Sequence, residues 1–226
     1  MSFQIAIDGP AGAGKSTIAK KVAEALHYLY IDTGAMYRAM GLFFLDHGVD
    51  IASEEAVEKR LSEVDVDLTL IDGVQHVLLN GKDVNSLIRT EEVGMAASKV
   101  STYREVRSKL VAAQRTIAGE KSVVMDGRDI GTVVLPDASL KIYLTASVRT
   151  RALRRLKDLE QSGQTADLSM VEKDIEDRDT QDKTRKESPL RQAEDAVFLD
   201  SSDLSIQEVT DRILTLAYER GAQQVL

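Results

Sequence analysis

The 226-residue sequence has no cysteine and no tryptophan, only 3 prolines, and 4% aromatic residues. Without cysteine the chain has no disulfide, no thiolate zinc site and no cysteine nucleophile. No apolar run approaches the ~18 residues that a membrane-spanning helix needs. The first residues lead straight into an expected strand, with no basic n-region and apolar h-region of a signal peptide. A reducing, cytoplasmic setting without membrane contact is the expectation. Positive charge is also short: 29 Lys and Arg against 37 Asp and Glu leave a formal charge of −8. That balance speaks against nucleic-acid binding, which leaves a basic footprint. Low-complexity tracts and internal repeats are missing as well. What is present, 43% hydrophobic and 29% charged residues, is ordinary for a globular protein with a sizeable core.

The chain is organised around Gly9-Pro10-Ala11-Gly12-Ala13-Gly14-Lys15-Ser16-Thr17. Before it, Phe3–Asp8 is short, apolar and β-branched, as in a buried strand. After it, Ile18, Val22, Ala25 and Leu26 fall on one face of a helix over 17–26. Strand, G-x-x-x-x-G-K-[ST] and helix together are the phosphate loop in its required context. Backbone N–H groups and the helix dipole converge there on an anion. Lys15 is expected on the β- and γ-phosphates of a triphosphate, and the Ser16 hydroxyl on Mg²⁺.

Further along, 28–31 reads as a second strand and Ala35–Asp46 as a helix ended by Gly48. Ser53 is an expected N-cap for a helix through Leu61. From Asp65 the period changes to two: Val66–Leu70, a turn at Asp72-Gly73, Val77–Leu79, a turn at Asn80-Gly81, then Lys82–Val84, an antiparallel meander. Thr90 caps the next helix, and another runs over 103–117. Strands return at 122–125, 140–144 and 196–199. Between the last two lie helices at 148–161 and 169–182, joined by Ser162-Gly163-Gln164-Thr165, and a closing helix covers 206–216. Five strands with interposed helices predict an α/β fold with a doubly wound parallel sheet, whose ligands bind beyond the carboxyl ends of the strands. The expected organisation is a single P-loop domain: core 1–64, 118–147 and 190–226, an insert at 65–117, and a helical lid at 148–189.

The strand ends carry further candidates. Asp126 is either an indirect partner of the Mg²⁺ on Ser16 or a turn aspartate. Arg128 and Asp129 are either an anion-binding fork with its neighbour or a structural pair. Arg178, Asp182 and Arg185 stand at i, i+4 and i+7, on one expected helical face. Arg149, Arg151, Arg154 and Arg155 open the preceding helix. Two arginine-dense helices around a loose loop read as a lid that closes cations over phosphates, with a solvated, ion-paired face as the alternative. Arg154 is assigned to ATP. Thr33, Tyr37 and Arg38 follow the second strand, where a hydroxyl, a ring and a guanidinium suit a small phosphorylated acceptor.

Residues 9–17, Asp-Thr-Gly-Ala-Met-Tyr-Arg at 32–38, Asp-Gly-Arg-Asp-Ile-Gly-Thr-Val-Val at 126–134, Arg-Asp-x-x-Asp-x-x-Arg at 178–185 and Ser-Pro-Leu at 188–190 resemble bacterial cytidylate kinases, collinearly and over nearly the whole chain. The resemblance implies transfer of the ATP γ-phosphoryl group to CMP or dCMP, with Mg²⁺. It places Thr33 on the acceptor nucleotide, Ser98, Arg107 and Asp129 on the cytosine ring, and Arg38 and Arg128 on the acceptor phosphate. Arg178, Asp182 and Arg185 take the ribose and the phosphates in flight. Lys15, Arg128, Arg178 and Arg185 are then the expected catalytic cations. Cytosine offers an amino donor beside N3 and O2 acceptors, which suits a carboxylate or hydroxyl with a guanidinium. Gln181 stands where some members carry a basic residue. Ser98 and Arg107, nine residues apart, act together only if the chain turns near Ser101-Thr102-Tyr103. Other small-molecule kinases (for UMP, AMP, dTMP or shikimate) and a nucleotide-dependent switch ATPase are the alternatives. A monomer working on small nucleotides is expected.

Overall fold

The computed structural model describes residues 2–71, 74–161 and 163–225. The chain forms two compact units, residues 1–30 with 120–226, and residues 31–119. The second unit thus includes the meander, and residues 148–189 fall within the first.

Among the described residues the main sheet has five strands in the order β2-β6-β1-β7-β8. They are β1 (Gln4–Asp8), β2 (Leu29–Asp32), β6 (Val123–Gly127), β7 (Leu140–Thr145) and β8 (Val197–Asp200). β1 pairs in parallel with both β6 and β7, and β7 with β8. Ile5, Ala6 and Ile7 are wholly buried, as a central strand covered on both faces requires. Helices α1 (Lys15–Leu26) and α8 (Ile206–Glu219) bury Ile18, Val22, Leu26, Val209 and Ile213 against the sheet residues Ile5, Ile7, Leu140 and Ile142. α8 starts at a complete capping box, Ser205 with Glu208, worth about 1 kcal/mol. β1 is central, so the loop that leaves its carboxyl end has the end of β6 beside it, with Ile7 opposite Asp126.

The second unit holds α2 (Thr33–Asp46), α3 (Glu54–Arg60), α4 (Glu91–Val100), α5 (Arg104–Ala118) and the antiparallel sheet β3 (Val66–Ile71), β4 (Val74–Leu79), β5 (Lys82–Asp83). Met36, Met40, Phe44, Val77, Ile88, Val106 and Leu110 form its core. Ser53 and Thr90 cap α3 and α4 as their sequences predict. Asn80 and Gly81 both have left-handed φ, 48° and 76°, the conformation a tight hairpin turn demands. The other expected turn, Asp72-Gly73, and Ser162 of the expected loop 162–165 lie outside the described residues.

Two boundaries differ from the sequence reading in ways that matter. α2 starts at Thr33, because the Asp32 side chain accepts the N–H of Ala35 at 2.9 Å and nucleates the helix two residues early. α7 (Leu168–Thr184) stops before Arg185, whose ψ of 143° is extended. Arg178 and Asp182 are helical, but Arg185 is not on their helical face. No described helix is long and apolar enough to cross a membrane.

Candidate functional site

At the phosphate loop the backbone itself is the binding surface. A Cβ on Gly9 (φ 153°) would sit 1.9 Å from the Leu144 carbonyl oxygen, so the loop admits no side chain there. Gly14, with φ 87°, caps α1 without any side-chain acceptor, and the first N–H groups of the helix are left for an anion. Lys15 is buried and donates from Nζ to the Pro10 carbonyl at 2.7 Å. Burial, then the charge of Arg128, pulls its pKa down to about 7 against the opposing pull of Asp126, Asp182 and Asp8. A phosphate beside it would restore the charged form.

Ser16 and Asp126 meet: Ser16 Oγ donates to Asp126 Oδ2 at 2.9 Å. Asp126 lies inside β6, is buried, and receives the Tyr30 hydroxyl on Oδ1, also at 2.9 Å. It is therefore not a turn aspartate. Its two oxygens are oriented by an element 110 residues away and another 96 residues away. Hydroxyl plus buried carboxylate is a hard-oxygen pair. Mg²⁺ binds through one or two such groups together with substrate phosphates and water. Among the described residues no group of three or more His, Cys, Asp or Glu forms a fuller metal cage, so the residues fit Mg²⁺ in that shared manner.

Beyond Asp126 the charges interlock. Arg128 Nε donates to Asp182 Oδ2 at 2.7 Å, and does not form the local pair with Asp129. Asp129 and Asp182 instead face Arg185, at 4.0 and 3.7 Å. Arg185 is held by its own Nε, which donates to the Ser188 carbonyl at 2.8 Å. Burial works to raise the Asp182 carboxyl, but the Arg128 charge and hydrogen bond, with Arg185 and Arg178, hold it below the usual range. Burial and the charge of Arg128 lower Arg178. This segment is aligned from beneath by a residue that sequence reasoning missed. Asp8, buried at the end of β1, accepts the N–H groups of Ile130 and Gly131, both at 2.7 Å. Desolvation carries its pKa up to about 6 despite those bonds.

Three arginines of the first cluster have partners within the first unit. Arg149 pairs with Glu172 at 3.0 Å. Arg151 is buried and donates both terminal nitrogens to Asp179. Arg154 donates to the Ser201 carbonyl at 2.8 Å and lies 3.5 Å from the Ala13 carbonyl in the phosphate loop. Arg149 is exposed, but Arg151 is buried where α6 (Val148–Gln161) packs on α7 around Ala152, Val171 and Ile175, and a charge there needs its partners.

In the second unit Thr33 is the buried first residue of α2. Arg38 reaches toward the Ile88 carbonyl at 3.5 Å. The chain does turn at Ser101–Tyr103, so Ser98 sits on α4 and Arg107 on α5. Arg107 is buried, donates to the Ser101 carbonyl at 3.2 Å, and lies 5.4 Å from the centroid of the Tyr37 ring. Arg107 and Tyr37 are thus brought together as a cation–π pair.

Residues 5–219 match the family described as cytidylate kinase. The cytidylate kinase of Caldicellulosiruptor bescii is 51% identical, with 96% of each chain covered. That of Lactobacillus johnsonii is 49% identical over 96% of this chain and 95% of its own. That of Shouchella clausii is 47% identical over 98% of both.

Proposed function

The chain belongs to the cytidylate kinase family and is a phosphotransferase that phosphorylates CMP or dCMP, and we propose the following division of labour among its residues. ATP is the donor and is held by the loop Gly9–Thr17, with Lys15 on its β- and γ-phosphates and Arg154 beside the loop. Ser16, with Asp126 indirectly, would hold Mg²⁺. When bound, the ion neutralises charge on the phosphate oxygens. In the first unit Arg128, Arg178 and Arg185 neutralise the phosphoryl group in transfer, while Asp182 takes the ribose and Asp129 the base. In the second unit Thr33, Tyr37, Arg38, Ser98 and Arg107 engage the acceptor nucleotide. Residues 65–117 act as the acceptor insert and 148–189 as the lid. The enzyme works as a monomer in the cytoplasm and has no nucleic-acid partner.

The observation that carries this reading is the Ser16–Asp126 hydrogen bond next to a buried lysine at an uncapped helix start. Phosphoryl transfer needs positioning and charge neutralisation more than covalent chemistry, and this set supplies both. The test is phosphoryl transfer from ATP to CMP, dCMP, UMP and AMP. CMP and dCMP are the expected substrates, and Lys15→Ala reduces kcat by at least ~100-fold, as loss of a transition-state charge does. Equal or better use of UMP overturns the base assignment.

A further inference from the structure

Arg151 makes four hydrogen bonds through its guanidinium. It stands in the first turn of α6 and is 3% exposed. Nε donates to the Ala146 carbonyl at 2.9 Å, and Nη1 to the Ala11 carbonyl at 3.0 Å and to Asp179 Oδ1 at 2.9 Å. Nη2 donates to Asp179 Oδ2 at 2.6 Å. Ala11 lies in the middle of the phosphate loop. Its neighbour Gly12 is packed so closely that a Cβ there would lie 3.3 Å from Arg151 Cβ. Asp179 lies in α7, next to Arg178 and one turn before Asp182, whose carboxylate holds Arg128. One planar guanidinium therefore ties three things together: the backbone of the loop that receives the donor, the end of β7, and the helix that carries Arg178 and Asp182.

The geometry points to Arg151 and Asp179 as a positioning pair that couples donor binding to the acceptor-facing residues of α7. Neither residue touches a reacting atom. A change in the loop at Ala11 is transmitted through a rigid fork to Asp179, and from there to its neighbours on the same helix turn. Coupling of this kind is reciprocal in binding free energy: a donor that orders the loop tightens CMP, and CMP tightens the donor by the same factor. A lysine cannot replace the fork, because one ammonium does not span Ala11, Ala146 and both oxygens of Asp179. The inference rests on the reading that the loop holds ATP and that Arg178 and Asp182 meet the acceptor.

The experiment measures CMP affinity in the intact protein with and without a saturating non-hydrolysable ATP analogue, for wild type, Arg151→Lys, Asp179→Asn and the double variant. The wild type is expected to bind CMP several-fold tighter with the analogue. In each single variant that factor falls toward one, and the double variant is no worse than the singles. In steady-state kinetics at saturating ATP the KM for CMP is expected to rise in each variant by about the factor of synergy that is lost. A wild-type factor of one, or an unchanged factor in folded variants, overturns the pairing. Should the variants fail to fold, amide hydrogen exchange of wild type decides: the analogue alone is expected to protect 178–185, and unchanged exchange there overturns the coupling. Failure of wild type to phosphorylate CMP would instead sink the underlying site reading, which these outcomes leave separate.

Discussion

Tyr30 donates its phenolic hydrogen to Asp126 Oδ1 at 2.9 Å, across 96 residues of chain, while Ser16 occupies the other carboxylate oxygen. The tyrosine thereby sets the plane of the carboxylate proposed to face Mg²⁺. Tyr30→Phe keeps the ring, which packs on the core of the first unit, and removes only that bond. The expected outcome is an increase of about 10-fold in the Mg²⁺ concentration needed for half-maximal kcat, the low end of what outer partners of a metal site contribute. Titration of activity with Mg²⁺ at saturating ATP and CMP checks it.

Asp182 accepts from Arg128 at 2.7 Å and faces Arg185 at 3.7 Å. Although burial opposes it, these arginines depress the folded-state pKa below the ordinary 3.8. A depressed carboxyl stabilises the fold above its unfolded value and loses that stabilisation as pH falls through the folded one. Urea melts from pH 5 to pH 2.5 are expected to show this acid limb in wild type and a shallower one in Asp182→Asn. At pH 7 the variant is expected to be less stable by roughly 1–3 kcal/mol, the cost of a buried cation with a weakened partner.

Asp8 behaves in the opposite sense and in a separate window. Its pKa rises from 3.8 to about 6 through burial, with the charge of Asp129 adding to it and the Gly131 and Ile130 N–H groups and Lys15 opposing it. The folded protein therefore binds a proton that the unfolded chain has released, and stability declines as pH rises from 3.8 to about 6, then levels. A shift of this size corresponds to roughly 3 kcal/mol. Asp8→Asn abolishes that slope, and also sets an amide NH₂ against one of the two N–H groups. Comparison of unfolding free energy for the two proteins across pH 4 to 7 tests both effects.

Gly41 lies inside α2, where alanine ordinarily favours the helix by ~1 kcal/mol. Here a Cβ would stand 2.8 Å from the Ala97 nitrogen and 3.2 Å from Ala96 C and Cβ. The obstacle is helical backbone, which does not yield as a flexible side chain would. Gly41→Ala is therefore expected to destabilise by about 1–3 kcal/mol, the usual consequence of overpacking. A rise in thermal midpoint would show that α2 and α4 separate more readily than their contact suggests.

Most of the local structure was legible because its causes are local. The phosphate loop declares itself through glycines at positions of positive φ, Asn80-Gly81 through its left-handed pair, and Ser53 and Thr90 through side chains that cap the next turn. Alternation of period two marked the meander, and β-branched runs marked the parallel strands. The early start of α2 was hidden because Asp32 reads as the end of a strand as easily as a cap. The stop of α7 before Arg185 was hidden because the 3.6-residue pattern continues past it.

By itself, then, the sequence determined the order of strands and helices, the phosphate loop with Lys15 and Ser16, and the family that these motifs resemble. Only the tertiary structure decided the partners. The arginines at 128, 149 and 151 look alike in sequence, yet Arg151 is committed to Asp179 and Ala11, Arg128 to Asp182, and Arg149 to Glu172. Asp8 and Tyr30 carried no motif at all. The reason is physical: a buried charge or donor takes whichever partner the strand order brings within about 3 Å. The fold joins residues 28 to 123 positions apart, far beyond the reach of any local pattern.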